Sequence, residues 1–391
     1  MKRVLALFLS VTSICYAQLS EQATISVLTC GAYQEEVFSA FGHSAFRIHD
    51  PVNNIDIACH YGIFDFNQPH FYLNFAKGYL YYKFGIEDYP RFESRYIYEN
   101  RFIHEQILNL TEDQKQKLFQ YFKWNSLPEN QTYTYDYFYN NCSTKIRDVV
   151  KAALGDDVNF DESYVTTDYT IRELTDLYLK QQHWGDLGID IGLGLPMDKK
   201  AAPLEYMFLP DYVESGFDHA TIKHDGSVAP LVKEKLITYQ SRDEEIPKGL
   251  PTPLVVFSSL AIVALALSVW DLKRKKLSSW FDAILFTSAG ITGLLLCFLW
   301  FFTDHHAAAK NFNLLWALPT HIVAVIAFSR QPQWLKTYFL IVTILSVATL
   351  LFWPVLPQML HYALIPLVAM LGIRSGIQFY LRRSRNHSSV D

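Results

Sequence analysis

Cys142 lies in a sequence context typical of a reactive thiol. The stretch Y-D-Y-F-Y-N-N-C-S-T-K-I-R-D passes from an aromatic run, which favours extended chain, to apolar residues at three- and four-residue steps. This change predicts a helix that begins at the cysteine, with Asn141 as its N-cap and Gly155 as its stop. Unpaired N–H groups and the helix dipole favour a thiolate there. We therefore predict a nucleophile, the alternative being a packed structural cysteine.

A nucleophilic cysteine needs a base, and His43 in A-F-G-H-S-A-F-R-I is the upstream candidate. The segments Ser44–His49 and Ile55–Phe66 are predicted strands joined by D-P-V-N-N, a turn sequence. Positions in such a hairpin pair across the turn with a constant sum, so residue 43 lies opposite one of residues 60–62.

A catalytic imidazole also needs a partner that holds its tautomer and its orientation. The hairpin offers His60 for this role, and we predict it as the third catalytic residue. Tyr61 and Asp65 are the alternatives on the same strand.

Periodic segments elsewhere predict a mixed α+β domain around these residues. The predicted strands are Ala23–Val27, Tyr79–Phe84 and Phe102–Asn109, and the predicted helices are Thr111–Asn125 and Thr170–Leu179. A Gly-rich stretch then runs from His183 to Asp198, and we favour a packed connection there over a loop that lines the substrate.

The first residues predict export. M-K-R, an apolar run and C-Y-A-Q have the three parts of a secretory signal peptide, residues 1–17, with cleavage after Ala17. Five cysteines are present, and three of them, Cys30, Cys59 and Cys142, fall in the exported domain. An odd number in an oxidising compartment leaves at least one free thiol.

The chain after Pro253 is mostly apolar and predicts a bundle of five transmembrane helices. The predicted spans are Leu254–Trp270, Phe281–Phe302, Asn313–Phe328, Thr337–Trp353 and Leu360–Tyr380. Lys and Arg cluster after the first, third and fifth spans, so the positive-inside rule puts the C-terminus in the cytoplasm and the soluble domain outside. We thus expect a signal peptide (residues 1–17), a periplasmic domain (18–248) and a multi-pass inner-membrane bundle (249–391).

Polar residues at the spans are further candidates, because ionisable groups in a bilayer are costly. Asp304 and His305 lie on the predicted outer side, together with His306. They either complete the active site, for example at a phospholipid headgroup, or bind a metal through the two histidines, or simply lie among headgroups. Arg374, near the inner end of the fifth span, is expected to snorkel.

Composition narrows the class of function. The net charge of −5 gives no sign of nucleic-acid binding. We expect no cofactor and no resident metal.

Several separated motifs, in order, resemble the Lnb N-terminal periplasmic domain family of Bacteroidetes. The motifs are F-G-H-S-A-F-R-I (Phe41–Ile48), Y-G-I-F-D-F (Tyr61–Phe66), N-N-C-S-T-K-I-R-D (Asn140–Asp148), W-G-D-L-G-I-D-I-G-L-G-L-P-M-D (Trp184–Asp198) and M-F-L-P-D-Y (Met207–Tyr212). The five-span tail with F-F-T-D-H resembles the membrane members of that family. The order of histidine before cysteine is similar to circularly permuted papain-like enzymes, which implies that fold for the periplasmic domain.

The resemblance implies a lipoprotein N-acyltransferase with Cys142 as the catalytic cysteine and His43 as the catalytic histidine. The implied partners are a membrane phospholipid as acyl donor and diacylated lipoproteins as acceptors. Backbone N–H groups at the helix start, with Asn141, are expected to stabilise the oxyanion. The sequence departs from the family pattern at Cys59-His60, which leaves the third catalytic residue open.

Two other classes of function remain open from the sequence. One is a periplasmic cysteine hydrolase, either a cell-wall amidase or peptidase or a phospholipase. The other is a membrane-anchored chaperone or assembly partner without enzyme activity. The remaining candidate contacts for substrate or oxyanion are Tyr61, Asp65, Asp304 and His305.

Overall fold

The structure, a computed structural model, describes residues 18–36, 39–64, 68–242 and 249–385. The chain divides into two compact units, here named the sheet unit and the helical unit. The sheet unit comprises Met1–Phe75, Tyr79–Tyr169 and Lys200–Glu245, and the helical unit comprises Ala76–Gly78, Thr170–Lys199 and Ile246–Asp391. Residues 170–199, which we assigned to the exported domain, therefore cluster with the helical unit. The predicted signal peptide and Asp65 lie outside the described residues.

All the strands among the described residues belong to the sheet unit. They are β1 Thr24–Cys30, β2 His43–Asp50, β3 Ile55–Ile63, β4 Tyr81–Asp88, β5 Ile103–Leu108, β6 Thr132–Thr134, β7 Val158–Asn159, β8 Thr221–His224, β9 Ser227–Pro230 and β10 Val232–Tyr239. Seven of them form an antiparallel sheet in the order β10-β5-β1-β2-β3-β4-β6, and β7, β8 and β9 form a second, small sheet. The mixed helix and sheet class is as predicted, while the permuted papain-like arrangement stays a prediction.

The predicted hairpin is present as β2 and β3. Ala45 pairs with His60 and Asp50 with Ile55, so the same register carried forward brings residue 43 opposite residue 62. The pairing of β3 with β4 becomes irregular beyond His60, where Gly62 adopts a φ of 93°, a left-handed conformation that favours glycine.

The helices divide between the two units. They are α1 Phe71–Lys77, α2 Tyr89–Tyr98, α3 Glu112–Asn125, α4 Cys142–Leu154, α5 Ile171–Leu179, α6 His183–Gly192, α7 Pro203–Tyr206, α8 Pro210–Asp218, α9 Pro253–Arg274, α10 Ser279–Phe302, α11 Thr320–Ile326, α12 Trp334–Phe352 and α13 Ile365–Arg385. Helices α3 and α5 begin at the predicted threonine caps, Thr111 and Thr170. The Gly-rich stretch that we expected to be a connection forms α6.

Among the described residues of the C-terminal part, 249–385, four helices are long and apolar enough to cross a membrane. They are Pro253–Arg274, Ser279–Phe302, Trp334–Val355 and Tyr362–Arg382. The predicted third span is instead a pair of shorter helical segments, His306–Leu315 and Thr320–Ser329, bent by 46°. Counted as one broken span, this pair gives the predicted number of five.

Arg374 does not snorkel, and that prediction is wrong. Its side chain is fully buried in the helical unit, where Nε donates to Asp282 and one terminal nitrogen donates to both Asp271 and Asp282. The remaining nitrogen donates to Ser268. Two carboxylates on α9 and α10 hold the guanidinium inside the bundle, so it has no need to reach the surface.

Candidate active site

Cys142 is the first residue of α4, as predicted, and it is half-buried. The helix packs on the sheet through the apolar face foreseen from the spacing, with Ile146, Val149 and Val150 buried. The first turn of α4 meets β2 at Ser143, whose hydroxyl lies 3.2 Å from that of Ser44. The residue next to His43 therefore touches the residue next to the candidate nucleophile.

Asn141 builds the helix start. Its Oδ1 accepts from the N–H groups of Ser143 and Thr144 at 2.9 Å each, and its own N–H donates to the Thr144 hydroxyl at 2.8 Å. The amide nitrogen donates to the carbonyl oxygens of Tyr137 and Phe208 at 2.9 and 2.8 Å. Both ends of the side chain are thus engaged in holding the turn. The expected role of Asn141 as an oxyanion donor is not supported, and it positions Cys142 instead.

His43 and His60 meet directly. The distance from His43 Nε2 to His60 Nδ1 is 3.2 Å, and the rings are nearly perpendicular at 86°. Phe92, fully buried on α2, packs against both rings. The sheet register places the two histidines on neighbouring strands, and the α2 ring fixes their orientation from one side.

Glu87 on β4 contacts the other ring nitrogen of His60, and this residue was not predicted from the sequence. His60 Nε2 lies 3.2 Å from Glu87 Oε1, and Arg95 donates to the same oxygen at 2.7 Å. The pKa of Glu87 falls to about 2, mainly because of the His60 hydrogen bond and then because of Arg95. The group is a carboxylate at neutral pH and acts as the fixed acceptor at the end of the chain.

With both imidazoles neutral, the three groups together define one arrangement of protons. A carboxylate only accepts, so His60 donates its Nε2–H to Glu87, and its Nδ1 carries the lone pair. His43 must then donate from Nε2 to that lone pair, which leaves Nδ1 of His43 unprotonated. This hydrogen-bonded relay, Glu87–His60–His43, therefore prepares His43 as a base.

His43 is neutral at rest. Burial, followed by the proximity of His60, Arg101 and Arg95, lowers the pKa of His43 well below 6.5. A neutral imidazole can accept a proton, whereas an imidazolium cannot, so the site favours general-base chemistry.

The thiol of Cys142 is also neutral at rest. Burial raises the pKa of Cys142, and the Ser143 hydroxyl and the N–H groups of Ser44, Ser143 and Cys142 itself oppose that rise only in part. Our expectation that the helix start favours a thiolate is therefore wrong for the resting site, because desolvation outweighs the dipole. The same N–H groups favour the negative charge that the sulfur gains when the thiol loses its proton.

The other predicted site residues lie in three different settings. Tyr61 is almost fully buried and its hydroxyl donates to Asn125 of α3, so it is part of the packing and not a substrate contact. Asp65 lies outside the described residues. Asp304 and His305 belong to the helical unit, and their roles stay predictions. Within the described residues, no group of three or more His, Cys, Asp or Glu is arranged to hold a metal ion.

The other cysteines among the described residues of the sheet unit are free and buried. Cys30 lies in β1 and Cys59 in β3, and burial raises the pKa of Cys30 to about 12. Both are therefore inert thiols, whereas Cys142 is only partly buried.

Two family models match the chain side by side. The Lnb N-terminal periplasmic domain matches residues 16–177, which include Cys142, His43, His60 and Glu87, and the Lnb transmembrane domain matches residues 245–386. The chain belongs to the Lnb family. No curated protein and no solved structure matches it significantly. The periplasmic domain together with several apolar helices makes this member of the Lnb family a multi-pass membrane protein.

Two of the motifs quoted in the sequence analysis have structural explanations. Phe208 of M-F-L-P-D-Y supplies the carbonyl that holds the Asn141 amide, so this motif supports the N-N-C-S turn. In W-G-D-L-G-I-D-I-G-L-G-L-P-M-D, Asp190 and Asp198 bind the buried Arg172 of α5. That second motif therefore fixes the α5–α6 hairpin within the helical unit.

Proposed function

We propose that this Lnb protein is a lipoprotein N-acyltransferase that carries the acyl chain on Cys142. The observation that carries the proposal is the Glu87–His60–His43 relay, which leaves an unprotonated nitrogen on His43. His43 is followed by Ser44, whose hydroxyl lies 3.2 Å from that of Ser143, the neighbour of Cys142, so we place His43 and the thiol in one site. Such a pair is suited to acyl transfer through a covalent intermediate. The apolar spans support membrane substrates, because an enzyme held at the bilayer meets them without a search in three dimensions.

In the first half-reaction the thiol attacks an ester carbonyl of a membrane phospholipid. Nδ1 of His43 accepts the thiol proton as the sulfur–carbon bond forms. The N–H groups of Ser44 and Cys142 stabilise the oxyanion of the tetrahedral intermediate. The intermediate collapses when the glycerol oxygen leaves with the proton from His43, which gives a lysophospholipid and a Cys142 thioester.

In the second half-reaction the α-amine of a diacylated lipoprotein attacks the thioester carbonyl. His43 takes a proton from the amine and returns it to the departing Cys142 sulfur. The products are an amide and the free thiol, so the site is restored. His60 and Glu87 keep His43 in the required tautomer and stabilise the imidazolium that forms in each half-reaction.

The orientation that suits this reaction has the sheet unit in the periplasm, the spans in the inner membrane and the C-terminus in the cytoplasm. Lys and Arg after α9 and at the end of α13 support that orientation. The lipidated N-termini of lipoproteins then lie on the same side as Cys142.

The proposal is tested in a strain that lacks its own lipoprotein N-acylation. The chain, Cys142→Ser and Cys297→Ser are expressed there, and the N-terminal lipopeptide of an abundant lipoprotein is read by mass spectrometry. We expect a third acyl chain with the wild type and with Cys297→Ser, whose cysteine lies in α10, and none with Cys142→Ser. Two acyl chains in all three strains, with equal amounts of protein in the membrane, would contradict the proposal.

A further inference from the structure

A patch of apolar side chains is exposed around α1. Tyr72 is 77% exposed, and Leu73, Phe75, Tyr79 and Tyr81 are each more than two-fifths exposed. These five residues, the α1 patch, lie on one short helix, on the connection after it and at the beginning of the strand that follows. A soluble surface rarely groups so many large apolar residues, so the patch suggests a lipid-binding role.

Aromatic rings continue from the α1 patch into the sheet unit. The ring of Phe75 lies 6.1 Å from that of Phe71, and Phe71 lies 6.4 Å from Phe64. Phe64 is 5.4 Å from Tyr82, which in turn is 4.4 Å from Tyr135. We refer to these five residues as the aromatic ladder. Successive contacts form one continuous row of rings from the surface inward.

The aromatic ladder ends beside the candidate nucleophile. A β-carbon placed on Gly62 would lie 3.6 Å from Cβ of Cys142 and 3.9 Å from the Tyr135 ring. Gly62 thus occupies the position between the last ring and Cys142, and its lack of a side chain keeps that space clear. A chain attached to the Cys142 sulfur would meet the ladder at Tyr135.

We propose that the aromatic ladder binds the acyl chain of the donor lipid and that the chain enters at the α1 patch. This inference rests on the proposed function, since it names where that reaction holds its hydrocarbon. Uncharged rings suit a row of methylene groups, whereas the relay beside His43 contains a carboxylate and would disfavour them. The ladder leads from an exposed apolar surface to the neighbourhood of Cys142. Its rings are packed closely, with no water-sized space in the groove that Phe71, Phe75 and Tyr82 line, so they must move apart to admit the chain.

Binding is tested with the full-length Cys142→Ser chain in detergent micelles, so that the result does not depend on turnover. The probe is palmitic acid that carries a photoreactive diazirine, and cross-linked peptides are identified by mass spectrometry. We expect saturable cross-links on the peptides that contain Phe64, Phe71, Tyr82 and Tyr135, displaced by unlabelled palmitic acid. Cross-links confined to the apolar spans, or not displaced, would overturn the proposal.

A second arm uses exposed residues, whose replacement leaves the packing intact. Tyr72→Ser with Leu73→Ser should lower the rate of Cys142 acylation by the sixteen-carbon p-nitrophenyl ester by roughly tenfold. The four-carbon ester is too short to reach the α1 patch, so its rate should stay within about twofold of wild type. Tyr98→Ser, at 90% exposed on α2, is the matched control and should change neither rate.

The two arms separate this proposal from the proposed function. An equal fall with both esters would show a general structural effect and would overturn the ladder. Saturable cross-links on the ladder with a wild-type enzyme that acylates no lipoprotein would keep the lipid site and remove the acyltransferase.

Discussion

Two buried polar networks, one in each unit, differ in how they end. In the helical unit, every nitrogen of Arg374 donates to an oxygen of Ser268, Asp271 or Asp282, and Gln378 donates to Asp282 as well. In the sheet unit, the relay starts at a carboxylate and runs in one direction through two imidazoles. Its last nitrogen, on His43, is left with a lone pair and accepts no proton from the relay.

The difference between the two networks separates a structural role from a chemical one. A network that satisfies all of its charges fixes helices and has no group left to react. A network that ends in an unprotonated nitrogen can move a proton when a nucleophile is present. Both contain buried charge, so burial alone does not identify the active site, and the direction of the hydrogen bonds does.

The largest expected effect on activity comes from the end of the relay. His43→Ala removes the base and should lower kcat/KM by roughly a thousandfold, with little change in thermal stability. Acylation of the lipoprotein N-terminus by the purified chain measures the effect. His49→Ala, at the other end of β2, is the control, and an equal loss there would contradict the assignment of His43.

For the network around Arg374 we expect a change in stability and not in activity. Arg374→Met leaves Asp271 and Asp282 buried without their cation and should destabilise the helical unit by about 3–5 kcal/mol. Thermal unfolding of the solubilised chain measures the loss, and Arg330→Met, an exposed position, is the control. Activity per folded molecule should stay near wild type.

A double variant sharpens that prediction. Adding Asp282→Asn to Arg374→Met removes one of the two orphaned charges, so part of the lost stability should return. A double variant that is less stable than Arg374→Met would show that charge balance is not what holds α9, α10 and α13 together.

An intermediate effect is expected at the start of the relay. Glu87→Gln keeps the shape but allows the amide to donate, so His60 and His43 are no longer held in a single tautomer. We expect kcat to fall roughly ten- to a hundredfold while KM changes little. Glu93→Gln on α2, whose carboxylate accepts from Tyr89, should leave both constants unchanged. A larger effect on KM than on kcat would argue for substrate binding by Glu87.

The smallest effect is a displacement of the pH profile. Because burial lowers the pKa of His43 below 6.5, the base remains unprotonated into mildly acidic solution. The acidic limb of kcat/KM should therefore lie below pH 6.5 and not at it. Since burial raises the pKa of Cys142 above 9.0, alkylation of the free enzyme by iodoacetamide should keep rising past that pH. An acidic limb above pH 7 would contradict a buried neutral His43.

Local signals in the sequence predicted the parts of the site that depend on neighbouring residues. The D-P-V-N-N turn predicted the β2–β3 hairpin, and the change of periodicity after Asn141 predicted the start of α4. His43, His60 and Cys142 were therefore available as candidates from the sequence. The lengths of the apolar segments likewise predicted the spans, although the hydropathy pattern carries no signal for the bend within the third span.

The residues that were missed depend on pairing between distant elements. Glu87 was passed over because the predicted strand stopped at Phe84, whereas β4 continues to Asp88. Its relation to His60 follows only from the β3–β4 register, which no local pattern specifies. A signal was present in Pro90, which often starts a helix and marks the end of that strand. The predicted thiolate state of Cys142 was wrong because the sequence does not show how far this residue is buried.

The central claim is that Cys142 carries the acyl group, and a covalent intermediate tests it most directly. The purified chain is incubated with a phospholipid donor in the absence of lipoprotein, and the Cys142 peptide is analysed by mass spectrometry. The account predicts a mass increase of one acyl chain on Cys142, released by neutral hydroxylamine as thioesters are. Transfer to an added lipoprotein from an enzyme whose Cys142 peptide never carries this adduct would contradict the account.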